Sequence, residues 1–242
     1  MQDRIFQVPE RPNPEALTWQ SAARMIDHTN LRPEATPDQI VRLCEEAREF
    51  SFGAVMVNGC YVELACAHLR GTEVSVGAVI GFPLGATFTS VKQFEAVEAL
   101  RLGAREIDMV LNVGALKAGE RQQVASDIRA IAEVAHKQNA LLKVILETIL
   151  LTDDEKVAAC QISVDAGADF VKTSTGFLGG GATVADIALM RRAVGTNCGV
   201  KASGGIRTAA ELRTMIAAGA DRIGTSSGVN IIRELRQDSG GK

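Results

Sequence analysis

Apolar and polar positions along the chain recur in one order: a short apolar run, a loop, then a stretch with one apolar face. Strand-like runs fall at 24–28, 54–57, 74–80, 106–111, 142–147, 170–173, 199–202 and 222–224. Each is a short run with apolar residues, the length of a strand and not of a helix. Helix-like segments at 37–50, 91–102, 120–138, 153–166, 184–194, 209–218 and 229–236 sit between them. Strands alternating with helices imply parallel pairing through right-handed crossovers.

Local chemistry marks several boundaries. Thr36-Pro37-Asp38 sets a hydroxyl cap before a proline that can open a helix. Thr152 followed three residues on by Glu155 is a capping box. Leu102-Gly103-Ala104, Ala166-Gly167-Ala168 and Ala218-Gly219-Ala220 repeat one stop signal, a glycine able to take the left-handed helix C-cap just before a strand. Eight such units fill 242 residues and leave no room for a second domain. The expected fold is a single-domain α/β barrel, (β/α)8, over 21–237, with an N-terminal extension at 1–20 and a flexible tail at 238–242. An open flavodoxin-like sheet is the alternative, but no G-x-G-x-x-G follows the first strand.

Composition narrows the function classes. The chain is 46% hydrophobic and 23% charged, which suits a packed globular domain. A net charge of −3 with interspersed basic residues gives no nucleic-acid footprint. No apolar run reaches the ~18 residues of a membrane span, and the first 20 residues carry no leader-like apolar stretch. Five scattered cysteines read as thiols in a reducing compartment, so a cytoplasmic protein is expected. The three histidines, His28, His68 and His136, form no metal-ligand spacing, and no metal is expected.

Charged residues inside apolar strands carry the chemistry. Lys172 closes Asp169-Phe170-Val171-Lys172, and Lys201 lies in Gly199-Val200-Lys201-Ala202. Alternation puts Phe170 and Lys172 on one face of their strand, and that face can be the barrel interior. A buried lysine is costly unless paired or functional. A nucleophilic amine must be neutral, and desolvation with a second cation nearby both favour neutrality. The plainer reading is a structural ion pair with a carboxylate such as Asp108, which sits inside Glu106-Ile107-Asp108-Met109-Val110. Asp108 suits either salt-bridge or proton-transfer duty. Asn112 would share its face if the strand stays regular. Lys143 and Glu147 read equally as an ion pair at the rim or as support for the site, and His28 reads better as a hydrogen-bonded structural residue than as a base. Glycine-rich loops Ser203-Gly204-Gly205-Ile206 and Gly224-Thr225-Ser226-Ser227-Gly228 follow strands seven and eight, where barrels often hold phosphate. The loop Gly179-Gly180-Gly181-Ala182-Thr183 could be a lid or a third wall.

Taken together, these stretches resemble the deoxyribose-phosphate aldolase family. The most specific are Lys172-Thr173-Ser174-Thr175-Gly176-Phe177 and Lys201-Ala202-Ser203-Gly204-Gly205-Ile206-Arg207, with Met25-Ile26-Asp27-His28-Thr29 and Gly81-Phe82-Pro83-Leu84-Gly85 in support. The resemblance spans about residues 22–236. It implies reversible cleavage of 2-deoxy-D-ribose 5-phosphate to acetaldehyde and D-glyceraldehyde 3-phosphate. Lys172 would form the Schiff base, Lys201 would lower its pKa, and Asp108 would relay protons with water. Gly176, Gly204, Gly205, Ser226 and Ser227 would hold the substrate and its phosphate. No cofactor is expected, the partner is a small sugar phosphate, and a homo-oligomer is expected. Relatives often carry a cysteine where this chain has Met56, which bears on sensitivity to aldehyde and thiol reagents. A different phosphate-binding barrel, such as an isomerase, or a non-catalytic sugar-phosphate sensor are the rival readings.

Overall fold

A computed structural model of the chain describes Val8 and residues 12–240. Eight parallel strands close into a barrel: β1 Ile26–Asn30, β2 Ala54–Val57, β3 Ser75–Ile80, β4 Glu106–Val110, β5 Leu141–Ile145, β6 Phe170–Lys172, β7 Gly199–Ser203 and β8 Arg222–Thr225. Each pairs with its neighbour in sequence, and β8 returns to β1 through Ile26↔Ile223 and His28↔Thr225. The helices are α1 Trp19–Arg24, α2 Pro37–Phe50, α3 Val62–Leu69, α4 Thr89–Arg101, α5 Val113–Lys117, α6 Arg121–Lys137, α7 Asp153–Asp165, α8 Val184–Val194, α9 Ala209–Ala218 and α10 Gly228–Gly240. This is the (β/α)8 barrel expected, and not an open sheet.

Strand alternation divides the buried residues into two populations. Val55 and Val57, Ile107 and Met109, Leu142 and Val144, Val200 and Ala202 belong to the main apolar core, shared with the helices. The intervening residues point into the barrel. Seven of them are charged, and Met56 and Val79 form a small separate cluster with Leu31, which follows β1, and with Phe82. Phe170 closes the interior near the strand starts. A Cβ on Gly199 would lie 2.3 Å from its ring, so only glycine leaves room for that plug.

The punctuation read from sequence is present. Thr152 Oγ1 accepts from Glu155 N, and Glu155 Oε2 accepts from Thr152 N at 2.8 Å. Gly103, Gly167 and Gly219 take φ of 110°, 98° and 118°, and the chain passes from each into a strand. Among the strands only β2 keeps both expected ends, and three of the differences have a clear local cause. Strand one begins at Ile26, because α1 occupies Trp19–Arg24 under its own Thr18 cap. Strand five stops at Ile145, because Glu147 turns into the left-handed region at φ 57°. Strand four stops at Val110, and Asn112 caps α5 by accepting from Ala115 N at 3.1 Å instead of continuing the strand face.

Part of the expected N-terminal extension is packed on the barrel: Arg213 donates to Pro14 O, and Arg236 stacks over Trp19 at 4.1 Å. Residues 1–7, 9–11 and 241–242 of the expected extension and tail lie outside the described residues, while α10 continues to Gly240. Among the described residues no helix is long and apolar enough to cross a membrane, and none of the cysteines forms a disulfide.

Candidate active site

Six strands send charged side chains into the barrel: Asp27 from β1, Glu106 and Asp108 from β4, Lys143 from β5, Lys172 from β6, Lys201 from β7 and Arg222 from β8. Only Arg222 is more than slightly exposed. Asp108 is the hub. Its Oδ1 accepts from Lys143 Nζ at 2.8 Å, and its Oδ2 accepts from both Lys172 and Lys201 at 2.8 Å. Lys201 also pairs with Asp27 Oδ2 at 2.5 Å, and Lys143 with Glu106 at 2.5 Å. Arg222 closes the ring by holding Asp27 and Glu106.

Burial alone would raise the Asp108 pKa, but the three lysines around it hold it well below the usual carboxylate range. Asp27 is likewise held low by Arg222, Lys201 and Lys143 against the effect of its burial. Lys143 overcomes its own burial through Asp108, Glu106 and Asp27 and sits above its ordinary value. Lys172 goes the other way. Burial, aided by Lys201 and Lys143 and opposed by Asp108, pushes its amine down to about 8. A lysine at about 8 offers an appreciable neutral fraction near neutral pH, which a nucleophile requires.

The C-terminal ends of the strands open into a cavity of about 570 Å³. Lys172 is the one interior lysine that lines it. Thr175, Gly176 and Phe177 from the loop after β6 line it as well, with Ser203, Gly204 and Gly205 after β7 and Ser226 and Ser227 after β8. Gly204 and Gly205 have φ of 91° and 82°, which point their backbone in a direction L side chains rarely adopt. The serine pair runs straight into α10, whose first-turn N–H groups lack helical acceptors and favour an anion. The 179–183 loop does not line the cavity but packs on Gly204: Ala182 N donates to Gly204 O at 3.0 Å, and a Cβ on Gly181 would come within 2.7 Å of that oxygen. Phe177 meets Phe82 edge-on at 5.1 Å on the cavity rim.

The structure thus brings together Lys172, Lys201 and Asp108, and separately collects Gly176, Gly204, Gly205, Ser226 and Ser227 at the cavity mouth. His28 lies in the cavity wall with Nε2 2.6 Å from Glu46, and burial lowers its pKa; both fit the structural reading. The rim ion pair between Lys143 and Glu147 is corrected. Lys143 is fully buried among carboxylates, and Glu147 bonds Thr175 instead. Asp27, Glu106 and Arg222 escaped the sequence reading. The two-residue spacing of Glu106 and Asp108 within an apolar strand was the available signal. Among the described residues, no group of three or more His, Cys, Asp or Glu could hold a metal ion.

Comparison with known proteins places this arrangement. The model of the DeoC/LacD family aldolases matches residues 22–235. The deoxyribose-phosphate aldolase of Halalkalibacterium halodurans is 57% identical over 219 residues, covering 90% of this chain and 97% of that protein. That of Listeria monocytogenes is 58% identical over 210 residues, covering 87% and 94%. The solved deoxyribose phosphate aldolase of Aeropyrum pernix, described as tetrameric, superposes with a TM-score of 0.86 at 32% identity over 94% of this chain and 99% of that one.

Proposed function

The chain belongs to the DeoC/LacD aldolase family, and from that premise we propose that it cleaves 2-deoxy-D-ribose 5-phosphate reversibly to acetaldehyde and D-glyceraldehyde 3-phosphate through a Schiff base on Lys172. The observation that carries the reading is the placement of Lys172. It is the interior amine that faces the cavity, and the one pushed toward neutrality.

The neutral Lys172 Nζ adds to the C1 aldehyde, and the carbinolamine takes up one proton and loses water to leave an iminium. The C3 hydroxyl gives up its proton to a water held by the Asp108 and Lys201 pair. The electrons of the C2–C3 bond move to C2 and into the iminium, and glyceraldehyde 3-phosphate departs. The resulting enamine takes a proton at C2. Water then hydrolyses the iminium and releases acetaldehyde and the free amine. The iminium nitrogen gains a positive charge that the neutral amine lacked, and Asp108, already ionised and bonded to that nitrogen, stabilises it. Gly176, Gly204, Gly205, Ser226 and Ser227 hold the phosphate at the other end of the substrate.

The test is borohydride reduction in the presence of substrate, followed by peptide mass spectrometry. An adduct on Lys172 is expected. An adduct on Lys201 would reverse the two roles, and no adduct in folded protein that binds the sugar phosphate would refute the aldolase reading.

We also infer self-association. Leu84, Phe88, Val91, Phe94 and Val97 are exposed along one segment, while the opposite face of α4 buries Lys92. Two copies of that stripe meeting around a two-fold axis would remove on the order of 1,000 Å² from water, near the lower bound for a specific interface. The reducing compartment suggested by unbridged cysteines fits a cytoplasmic enzyme.

A further inference from the structure

Glu147 is buried to 1% exposure yet stands in the left-handed backbone region, at φ 57°. Among the described residues, the other non-glycine positions with positive φ, Ser51 and Asn139, are exposed at helix ends, where such a conformation is ordinary. Among the described residues Glu147 makes no ion pair. Its Oε2 instead accepts from Thr175 N at 3.1 Å and from the Thr175 hydroxyl at 2.5 Å. A buried, unpaired carboxylate on a strained backbone is retained only where surrounding structure requires it.

The consequence falls on Thr175. A hydroxyl has one proton to donate and two lone pairs. Its proton is committed to Glu147, and one lone pair takes the N–H of Phe177 at 3.1 Å. What Thr175 can still offer is a single acceptor, and Thr175 lines the cavity with Lys172. A ligand group meeting it must therefore donate. The open-chain substrate carries two hydroxyls. The one on C3 gives its proton to the water at Asp108 and Lys201, and C5 bears the phosphate, which leaves the C4 hydroxyl.

We propose that Glu147 is a positioning residue that fixes Thr175 as an acceptor and so selects substrates with a hydroxyl on C4. This rests on the aldolase reading above. Glu147→Gln puts an amide beside Thr175, whose N–H can donate to the hydroxyl oxygen and release the Thr175 proton toward the cavity.

The test compares kcat/KM for 2-deoxyribose 5-phosphate with that for its 4-deoxy analogue, which keeps the aldehyde, the C3 hydroxyl and the phosphate. Wild type should prefer the hydroxylated sugar by about tenfold, the size of one net hydrogen bond. Thr175→Val should remove the preference, Thr175→Ser should keep it, and Glu147→Gln should reduce it. The double variant Thr175→Val with Glu147→Gln should match Thr175→Val. A preference that survives Glu147→Gln, an equal loss on both sugars, or a further loss in the double variant would overturn the proposal. If Glu147→Gln does not fold, the Thr175→Val and Thr175→Ser pair decides it, since a preference unaffected by removing the hydroxyl leaves Glu147 nothing to act through. Borohydride trapping with acetaldehyde separates the two readings. No Lys172 adduct in wild type sinks the aldolase assignment, whereas an adduct in every variant with the preference unchanged sinks this inference alone.

Discussion

Replacing Lys201 with methionine removes one positive charge and keeps the length of the side chain. Lys172 and Lys201 both donate to Asp108 Oδ2 at 2.8 Å. Their ammonium groups therefore stand roughly 4–5 Å apart, and at an effective dielectric of ~20 their repulsion is about 3–4 kcal/mol. That corresponds to about 2–3 pKa units. In the variant the Lys172 amine should return from about 8 to about 10 or above. About a tenth of it is neutral at pH 7 in wild type, and the neutral fraction should fall roughly 100-fold. The assay is the rate of borohydride trapping and kcat/KM followed from pH 6 to 11, since kcat/KM reports the free enzyme's groups. Wild type should rise to half its limit near pH 8. The variant should lose about 100-fold at pH 7, recover much of it by pH 10, and show its midpoint shifted upward. A variant whose profile keeps the wild-type midpoint and is lowered equally at all pH values would refute the electrostatic role of Lys201.

Lys172→Met should abolish activity and raise stability near neutral pH. The folded pKa of about 8 lies below the ordinary 10.5, so the unfolded chain binds more protons between those values, and the cost of burying this lysine is greatest below pH 8 and relieved as pH rises through the window. Thermal melts should show the gain at pH 7 and its disappearance above about pH 10.5; a destabilised variant at pH 7 would contradict this. Arg222→Met leaves Asp27 and Glu106 short of a cation and should cost about 3–5 kcal/mol in urea unfolding, as removal of one buried partner does. Gly204→Ala sets a Cβ 2.9 Å from Gly181 Cα at φ 91° and should raise the KM of the phosphorylated sugar, with acetaldehyde trapping on Lys172 little changed. Phe94→Arg should shift sedimentation toward the monomer if the α4 stripe joins two copies; an unchanged sedimentation coefficient would exclude that face.

Much of the barrel was readable because its signals are local. Short apolar runs, the capping box at Thr152 and the three Gly C-caps each act within a few residues. Lys172, Lys201 and Asp108 were readable because a charge inside an apolar strand stands out against its neighbours. The misreadings share one cause. Extrapolating the two-residue period beyond the true strand end placed Glu147 with Lys143 and Asn112 with Asp108. The backbone left the strand at Ile145 and Val110, after which alternation carries no information. Asp27, Glu106 and Arg222 belong to another class. Which residues meet across the interior depends on the stagger of all eight strands around the closed barrel, a quantity that no single segment encodes.

On the proposed mechanism, that stagger also decides which lysine can react. Three carboxylates, Asp27, Glu106 and Asp108, face four basic groups, Lys143, Lys172, Lys201 and Arg222, in a space without room for bulk water. A buried set that is fully ionised carries one positive charge too many, and the lowest-energy way to remove it is to deprotonate one member. Arginine does not serve, since its proton is not given up in proteins. Lys143 touches three carboxylates and Lys201 touches two, whereas Lys172 touches Asp108 alone. The least compensated amine is therefore the one that loses its proton, and it is also the one that opens onto the cavity. On the proposed mechanism, nucleophile and supporting cation are distinguished by the count of neighbouring carboxylates. Exchanging the roles of Lys172 and Lys201 would take more than two point substitutions, because Asp27 would have to move with them.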